Sequence, residues 1–276
     1  MAGVHVNEAS SIEAAITLSR RIDPAAMTGR ISIIPVVSQP SQYRYSVRSP
    51  VDDKDVHWLY PGNPDGTFSE ALAHALLAEW AHDAVALIDL HGGDIGEIQA
   101  PYVVFQRTGD DRIDRRHEAL ARCFDTPLLV GLDPTAREKP GRSCTALGRR
   151  GRAGLVTESG NHAVLDWAAV DWHVRGIVNA ARLFGILPGE VDVRRDDALI
   201  IDRYVFVTAP ADGLYYPTHE PGIRVERGAR LGELRDVFHH RITDVVAPAG
   251  GIVMWRSCLQ FAKADSWIGA IGVPMA

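Results

Sequence analysis

Short apolar runs alternate with amphipathic stretches through the first two thirds of this chain of 276 residues. The runs have the length and composition of buried strands, and the stretches between them repeat their apolar residues with the period of a helix. Alternation of this kind predicts an α/β fold, in which a doubly wound, mostly parallel sheet carries helices on both faces. The predicted strands are 31–37, 84–90, 102–105, 128–130 and 153–157, and the predicted helices are 9–22, 69–82, 111–123 and 163–185.

The sequence pattern changes near residues 188–197, where Pro188-Gly189-Glu190 and a run of charges interrupt the apolar periodicity. Beyond this point, short β-like segments are separated by turns rich in Gly, Pro and Asp, which is typical of a small all-β unit. We therefore predict an α/β domain over residues 1–192 and a small C-terminal all-β domain over residues 193–276. The predicted strands of the second domain are 204–208, 222–225, 231–234, 244–247 and 251–255.

Charge, cysteine content and hydropathy argue against several partners and locations. The sequence has 29 Lys and Arg against 35 Asp and Glu, and this net charge of -6 argues against a nucleic acid as partner. Cys123, Cys144 and Cys258 are widely spaced and odd in number, so we expect no disulfide framework and a cytoplasmic location. No apolar run reaches the length of a membrane span, so we expect no membrane partner. The oligomeric state stays open, with a homo-oligomer included.

Two histidines and one glutamate form a candidate metal set. His5 and Glu8 are three residues apart, close to one helical turn, where a loop enters a predicted helix, so their side chains can converge. His91 directly follows the predicted strand 84–90, and ligands of α/β sheets gather at the carboxyl ends of strands. A catalytic zinc ion takes three N or O ligands and leaves a fourth position for water. A His-x-x-Glu pair also occurs by chance, so spacing alone leaves a structural role open.

Asp89 is the candidate partner of His91. The two residues are two positions apart, so in a strand their side chains share one face. A buried carboxylate beside a histidine is not explained by packing alone, because burial of an unpaired charge is costly. We therefore expect the Asp89 carboxylate to contact the His91 ring and to support it as a metal ligand.

Four motifs occur in an order that characterises one family of hydrolases. They are Gly3-Val4-His5-Val6-Asn7-Glu8, the segment 50–62, Asp89-Leu90-His91-Gly92 and Thr157-Glu158-Ser159-Gly160. On these motifs the chain resembles the succinylglutamate desuccinylase/aspartoacylase family, a branch of the zinc carboxypeptidase-like hydrolases, over nearly its whole length. The resemblance implies a small-molecule substrate and one zinc ion (Zn2+) per chain, bound by His5, Glu8 and His91.

The resemblance also assigns roles to residues around the metal. It makes Glu158 the general base and acid, which takes a proton from the attacking water and delivers it to the leaving amine. It makes Asp55 the carboxylate that hydrogen-bonds His5 and fixes its ring orientation. It makes Arg48 the residue that polarises the scissile carbonyl and holds the developing oxyanion. Arg44, four residues earlier, is the alternative to Arg48.

One departure from the family pattern bears on the substrate. The usual Asp-Leu-Asn-Arg-x-Phe-Pro-Gly reads Asp-Val-His-Trp-Leu-Tyr-Pro-Gly over residues 55–62, so His57 and Trp58 replace the Asn-Arg pair that clamps the substrate carboxylate in the relatives. An arginine offers a bidentate fork, whereas an indole offers one N–H and an apolar face. We therefore expect His57, Trp58 and Arg44 to contact a substrate that carries an apolar or aromatic group at this subsite. A core position for Trp58 is the alternative.

The amino terminus also departs from the family pattern. Only four residues precede His5, whereas the family normally has a strand and further residues ahead of this motif. A sheet without that strand loses ladder hydrogen bonds beside the metal site and exposes an edge. If the short terminus is native, we expect weak metal occupancy.

Together these features predict a zinc-dependent amidohydrolase that removes the acyl group of a small N-acyl amine or N-acyl amino-acid derivative. A carboxypeptidase-type peptidase or an esterase would share the metal set. A non-catalytic relative that keeps the fold and the metal is the alternative from another class.

Overall fold

The computed structural model describes residues 1–44, 46–133, 141–192, 195 and 197–275. A nine-stranded mixed sheet forms its centre. Numbered along the chain through both sheets, its strands are β1 (Ala86–His91), β2 (Glu97–Gln99), β3 (Tyr102–Gln106), β4 (Leu128–Leu132), β5 (Ala153–Glu158), β6 (Leu199–Thr208), β8 (Arg224–Val225), β11 (Gly251–Ser257) and β13 (Trp267–Pro274). Their spatial order is β1-β5-β3-β4-β6-β13-β11-β2, and β8 pairs with β11.

A second, antiparallel sheet of four strands has the order β10-β9-β7-β12. Its strands are β7 (Gly213–Pro217), β9 (Arg230–Arg235), β10 (Arg241–Val246) and β12 (Phe261–Ala262). This sheet fits the predicted all-β unit at the C-terminus. The other C-terminal strands extend the large sheet, because β6 pairs in parallel with β4 and continues it into β13 and β11. The large sheet is therefore continuous across the predicted boundary at residue 192.

Helices cover both faces of the large sheet. The α-helices of the described residues are α1 (Ala9–Arg21), α2 (Phe68–Ala75), α3 (Asp111–Ala121), α4 (Ser143–Gly148) and α5 (Trp167–Leu183). Alternate strand residues face opposite sides, so Val103 and Phe105 pack with α3 and α5, whereas Tyr102 and Val104 pack on the side of α4. A π-helical turn, Leu76–Trp80, continues α2. Every helix in the described part of the chain is too short or too polar to cross a bilayer.

The prediction of a mostly parallel sheet is wrong, because the sheet is mixed. Its β1/β5, β3/β4 and β4/β6 pairs are parallel, whereas β3/β5 and the pairs beyond β6 are antiparallel. A parallel neighbour requires a long crossover connection, which is usually a helix. The segment 92–101 joins β1 to β3 with only the short strand β2 in it, so the chain returns antiparallel.

The predicted strand 31–37 is not formed. In the described chain the backbone of this segment pairs with Ala2 alone: Ala2 N donates to Ile34 O at 2.8 Å, and Val37 N donates to Ala2 O at 3.0 Å. Ala2 in turn forms a parallel bridge to Leu90 in β1. One residue cannot support a ladder on either side, so the segment stays irregular. A mainly apolar cavity of about 610 Å³ lies along this edge, and its lining includes none of the candidate site residues.

Candidate active site

The candidate metal and proton-transfer residues lie at the carboxyl ends of two neighbouring strands. The strand β1 ends at His91, β5 ends at Glu158, and the parallel register makes these residues direct partners. Residues paired in register sit side by side on the same face of a sheet. Glu158 therefore stands beside His91 at this edge.

His5 and Glu8 reach the same edge from the loop before α1. Gly3 holds a left-handed conformation with φ of 64°, and a Cβ there would lie 2.9 Å from the Cα of Val36, so the bend requires glycine. After the bend, His5 Nδ1 lies 2.8 Å from Glu8 Oε1, and His91 Nδ1 lies 3.0 Å from Glu8 Oε2. Both imidazoles therefore present the same ring nitrogen to one carboxylate.

A second carboxylate stands behind each imidazole. His5 Nε2 lies 3.0 Å from Asp55 Oδ1, and His91 Nε2 lies 3.3 Å from Asp89 Oδ1. Carboxylates in this position fix the ring orientation and tautomer of metal-binding histidines. The arrangement leaves Nδ1 of both rings directed at Glu8.

The charges of this cluster stabilise one another. Burial disfavours a charge on His5, but Glu8 and Asp55 outweigh it and raise the pKa of His5 to about 10. Burial also opposes the charge of His91, yet Glu8 and Asp89 raise the pKa of this ring well above its usual value. Burial works against an ionised Glu8 too, and the two histidines still lower its pKa to about 2. A metal ion must therefore displace protons from the imidazoles in order to bind.

Among the residues that the structure describes, two groups of three side chains are candidate metal ligands. They are His5, Glu8 and His91, and His57, Asp89 and His91. In each group the possible ligand atoms lie within 4.8 Å of one another. The second group is the poorer donor set, because His57 Nε2 accepts a hydrogen bond from Arg142 Nε at 3.2 Å and its lone pair is engaged. The first group offers two nitrogens and a carboxylate, which is a donor set of catalytic zinc.

Glu158 has the properties of a proton-transfer group. Gln99 Nε2 donates a hydrogen bond to Glu158 Oε2 at 3.4 Å and so constrains the carboxylate. Burial is the largest cause that raises the pKa of Glu158 to about 8, against the opposing influence of His91. A carboxyl group with a pKa near neutrality can both accept and release a proton during a reaction.

His57, Trp58 and Arg142 form a cluster beside the candidate metal residues. The His57 ring centroid lies 4.7 Å from that of His91 and 5.6 Å from that of His5. The Arg142 guanidinium carbon lies 4.1 Å from the Trp58 ring centroid, which is a cation–π contact. Trp58 is 40% exposed and is not a core residue. Burial, with the charges of His91 and Arg142, lowers the pKa of His57 well below its usual value, so this ring is neutral.

Arg48 and Arg44 lie apart from this cluster. Arg48 is exposed, and its Nη1 donates to the main-chain oxygen of Asp53 at 2.8 Å. Arg44 is exposed at the end of the 3₁₀ turn Gln39–Tyr43. Within the described residues, neither arginine forms a hydrogen bond or ion pair with a candidate metal residue. The guanidinium beside the candidate site belongs instead to Arg142.

Sequence reasoning missed the residues that join the site from distant segments. Arg142 is brought to His57 by a bridge in which Gly141 N donates to Tyr60 O at 2.8 Å. Ser143 Oγ donates to Asp89 Oδ2 at 2.8 Å and holds this carboxylate from the side of α4, and Gln99 does the same for Glu158. The sequence signal that could have pointed to Arg142 is the loss of the Asn-Arg pair, because that loss removes the arginine that the family pattern places at this position.

The chain is similar to proteins named for the removal of acyl groups. It is 25% identical to the N-alpha-acetyl-L-2,4-diaminobutyric acid deacetylase of Halomonas elongata over 249 residues, which cover 88% of this chain and 71% of the relative. It matches the crystal structure of a succinylglutamate desuccinylase/aspartoacylase from Rhodobacter sphaeroides with a TM-score of 0.87 and 25% identity, over 100% of this chain and 84% of that one.

A further fold match is the product-bound structure of the ectoine utilization protein EutE (DoeB) from Ruegeria pomeroyi. Its TM-score is 0.88 at 24% identity, over 99% of this chain and 83% of that one. A family model described as the succinylglutamate desuccinylase/aspartoacylase catalytic domain matches residues 1–184, which include the candidate metal residues, Glu158 and Arg142. The chain therefore belongs to the succinylglutamate desuccinylase/aspartoacylase family.

Proposed function

We propose that this chain is a zinc-dependent deacylase of the carboxypeptidase-like type, which hydrolyses the amide bond of a small N-acyl amino-acid derivative. The observation that carries the proposal is the convergence of His5 Nδ1 and His91 Nδ1 on Glu8, with Glu158 in register beside His91. The relatives' names, deacetylase and desuccinylase, support hydrolysis of an acyl amide.

The side chains around the ligand set have separate tasks in this reaction. Zinc, when bound, supplies a Lewis acid that lowers the pKa of water and polarises an acyl oxygen. Glu158 accepts the proton of the attacking water at its carboxylate and delivers it to the leaving amine. Gln99 holds the carboxylate of Glu158 in place by its amide donor. Asp55 and Asp89 keep both imidazoles turned with Nδ1 toward Glu8.

Arg142 points to a substrate that carries a carboxylate. Its guanidinium lies against Trp58, at the subsite where the sequence had lost the family's arginine, and it directs Nε–H at His57. A guanidinium has five N–H donors and pairs with a carboxylate in a fixed geometry. We therefore revise the expectation of an apolar group at this subsite, which rested on the replacement of the Asn-Arg pair by His57 and Trp58, and favour an N-acyl amino acid over a simple N-acyl amine.

The test is a substrate panel with the zinc-loaded chain. The compounds are N-acetyl-2,4-diaminobutyrate, N-acetylaspartate, N-succinylglutamate and N-acetylbutylamine, which has no carboxylate, and release of the amine is measured. We expect hydrolysis of at least one acyl amino acid, loss of this activity with a chelator, its return with zinc, and slower hydrolysis of N-acetylbutylamine. Hydrolysis that a chelator does not affect, or no hydrolysis across the panel, would contradict the proposal.

A carboxypeptidase-type peptidase is the second candidate, because Arg142 would bind the C-terminal carboxylate of a peptide equally well. An N-acetyl dipeptide with a free C-terminus distinguishes the two functions. A deacylase releases acetate from this compound, whereas a carboxypeptidase releases its C-terminal amino acid.

A further inference from the structure

The hydrogen bond between Arg142 and His57 determines which nitrogen of His57 carries the proton. Arg142 Nε can only donate, so His57 Nε2, 3.2 Å away, must accept with its lone pair. In a neutral imidazole the proton then lies on Nδ1. A protonated His57 would bring an Nε2–H against a guanidinium N–H, which this geometry does not allow. His57 is therefore an acceptor at Nε2 and a donor at Nδ1.

Buried polar atoms that lack hydrogen-bond partners lie close to His57. Within the described residues, His57 Nδ1, Asp89 Oδ1 and His91 Nε2 are all buried and have no hydrogen-bond partner. A ring nitrogen of His57, a carboxylate oxygen of Asp89 and a ring nitrogen of His91 lie within 4.8 Å of one another. His91 Nε2 and Asp89 Oδ1 are 3.3 Å apart, at ion-pair distance. A buried donor without an acceptor is unfavourable, and a hydrogen bond from His57 Nδ1 to Asp89 would satisfy it.

We propose that His57 is a positioning residue, which directs its Nδ1–H at Asp89 and thereby connects Arg142 at the substrate subsite to the metal ligand His91. The proposal rests on the proposed function, because it assumes that His91 binds zinc. Asp89 is then held by Ser143 Oγ on one oxygen, at 2.8 Å, and by two imidazoles on the other. Held in this way, Asp89 keeps His91 turned with Nδ1 toward Glu8.

The consequence is that zinc retention depends on a residue that is not a ligand. Supporting groups behind metal-binding histidines typically change metal affinity by about 10 to 100-fold. Arg142 acts on metal affinity only indirectly, because its hydrogen bond fixes the tautomer of His57. We therefore expect a smaller change in metal affinity when Arg142 is altered than when His57 is altered. Occupation of the subsite by a carboxylate therefore acts on the metal centre through Arg142, His57 and Asp89.

The experiment measures the rate of zinc release to an excess of chelator from the full-length, zinc-loaded chain. The variants are His57→Phe, which keeps a ring and loses both nitrogens, His57→Gln, which retains an acceptor and a donor, and Arg142→Met. His82→Phe, which removes an exposed histidine, is the matched control. Circular dichroism of each variant establishes that it is folded.

We expect release about 10-fold faster for His57→Phe, a smaller increase for Arg142→Met, and near wild-type release for His57→Gln and His82→Phe. The His57→Phe and Arg142→Met effects should not add, because both act through Asp89. Equal release from His57→Phe and the wild type would overturn the proposal, and so would His57→Gln as fast as His57→Phe. Should His57→Phe fail to fold, Arg142→Met decides: release faster than from the wild type supports the proposal, and release equal to that of the wild type overturns it. A wild-type chain that binds no zinc contradicts the proposed function itself.

Discussion

The metal half and the substrate half of the candidate site are held together in different ways. His91 and Glu158 end two strands that pair in register, and the bend at Gly3 fixes His5 and Glu8 against them. The substrate half joins the turn Val56–Trp58 to Arg142 through one backbone bridge and one cation–π contact. Strand ladders position side chains through many hydrogen bonds, whereas loops depend on a few long-range contacts. We therefore expect changes in the metal half to alter metal binding and turnover, and changes in the substrate half to act mainly on KM, with His57 and, more weakly, Arg142 also acting on metal retention through Asp89.

The largest effect is expected for Glu158→Gln, which keeps the shape and removes the titratable group. We expect kcat to fall by about 100 to 10,000-fold, the contribution of general acid–base catalysis, while zinc content stays unchanged. Initial rates and elemental analysis of the same preparation check both statements. The exposed Glu79→Gln is the control. Turnover that survives in Glu158→Gln would remove this residue from the mechanism.

Arg142→Met and Arg48→Met form a matched pair for the substrate half. A hydrogen bond to a charged group contributes about 1.5 to 3 kcal/mol, so Arg142→Met should raise KM for an acyl amino acid by roughly 10 to 100-fold. Arg48 is exposed and donates to a main-chain oxygen, so Arg48→Met should change KM and kcat by less than about twofold. Steady-state kinetics of both variants measures these changes in KM and kcat. A larger kinetic effect for Arg48→Met than for Arg142→Met would support the predicted oxyanion role of Arg48.

Asp55→Asn tests the carboxylate behind His5. The amide keeps the size and loses the charge, so the zinc dissociation constant should rise by about 10-fold. Competition with a chelator of known affinity measures it. Asp53→Asn is the control, because Asp53 has a φ of 55°, a conformation that asparagine tolerates. Unchanged affinity in Asp55→Asn would mean that this carboxylate does not support a ligand.

The smallest effect concerns the pH dependence of the zinc-free chain. His5 has a folded pKa of about 10 against 6.5 for the free side chain, so its contribution is complete below pH 6.5 and is lost as pH rises toward 10. Glu8 has a folded pKa of about 2 against 4.5, so its contribution is present above pH 4.5 and is lost as pH falls toward 2. The melting temperature should therefore fall between pH 6.5 and 10 by roughly 2 to 4 °C for each kcal/mol lost.

The same protons compete with zinc, so the apparent zinc affinity should rise over the interval in which the zinc-free chain loses stability. Thermal scans and chelator titrations at matched pH values measure the two trends. His5→Gln should flatten the stability trend above pH 6.5. A zinc affinity that does not change from pH 6.5 to 9 would show that the imidazoles are not protonated in the free site.

The metal half could be predicted from the sequence because its signals are local. His5 and Glu8 share one helical turn, and His91 follows an apolar run of strand length, so their convergence requires only that the strand be formed. The predicted strands 84–90 and 153–157 lie within two residues of the observed bounds at each end. Family motifs singled out Glu158 and Asp55. Asp55 lies beside His5 and Glu158 pairs in register with His91, while their roles as supporting carboxylate and base stay predictions.

The substrate half could not be predicted in this way, because long-range pairing brings Arg142 to Trp58. The helix α4, which follows Arg142, was missed as well: every one of its residues is buried, so it has no amphipathic period to recognise. The mixed direction of the sheet was also missed, since apolar alternation shows that strands exist without giving their direction. The family motif predicts Arg48 as the oxyanion residue, whereas in the structure its Nη1 donates to the main-chain oxygen of Asp53.

The most direct test of the account is the zinc content of the purified chain and of its His91→Ala variant, measured by elemental mass spectrometry after dialysis. The account predicts about one zinc ion per wild-type chain and its loss from His91→Ala, with the fold retained by circular dichroism. Zinc that remains stoichiometric in His91→Ala, or a wild-type chain that takes up no zinc when it is supplied, would contradict the assignment of His5, Glu8 and His91 as the metal centre.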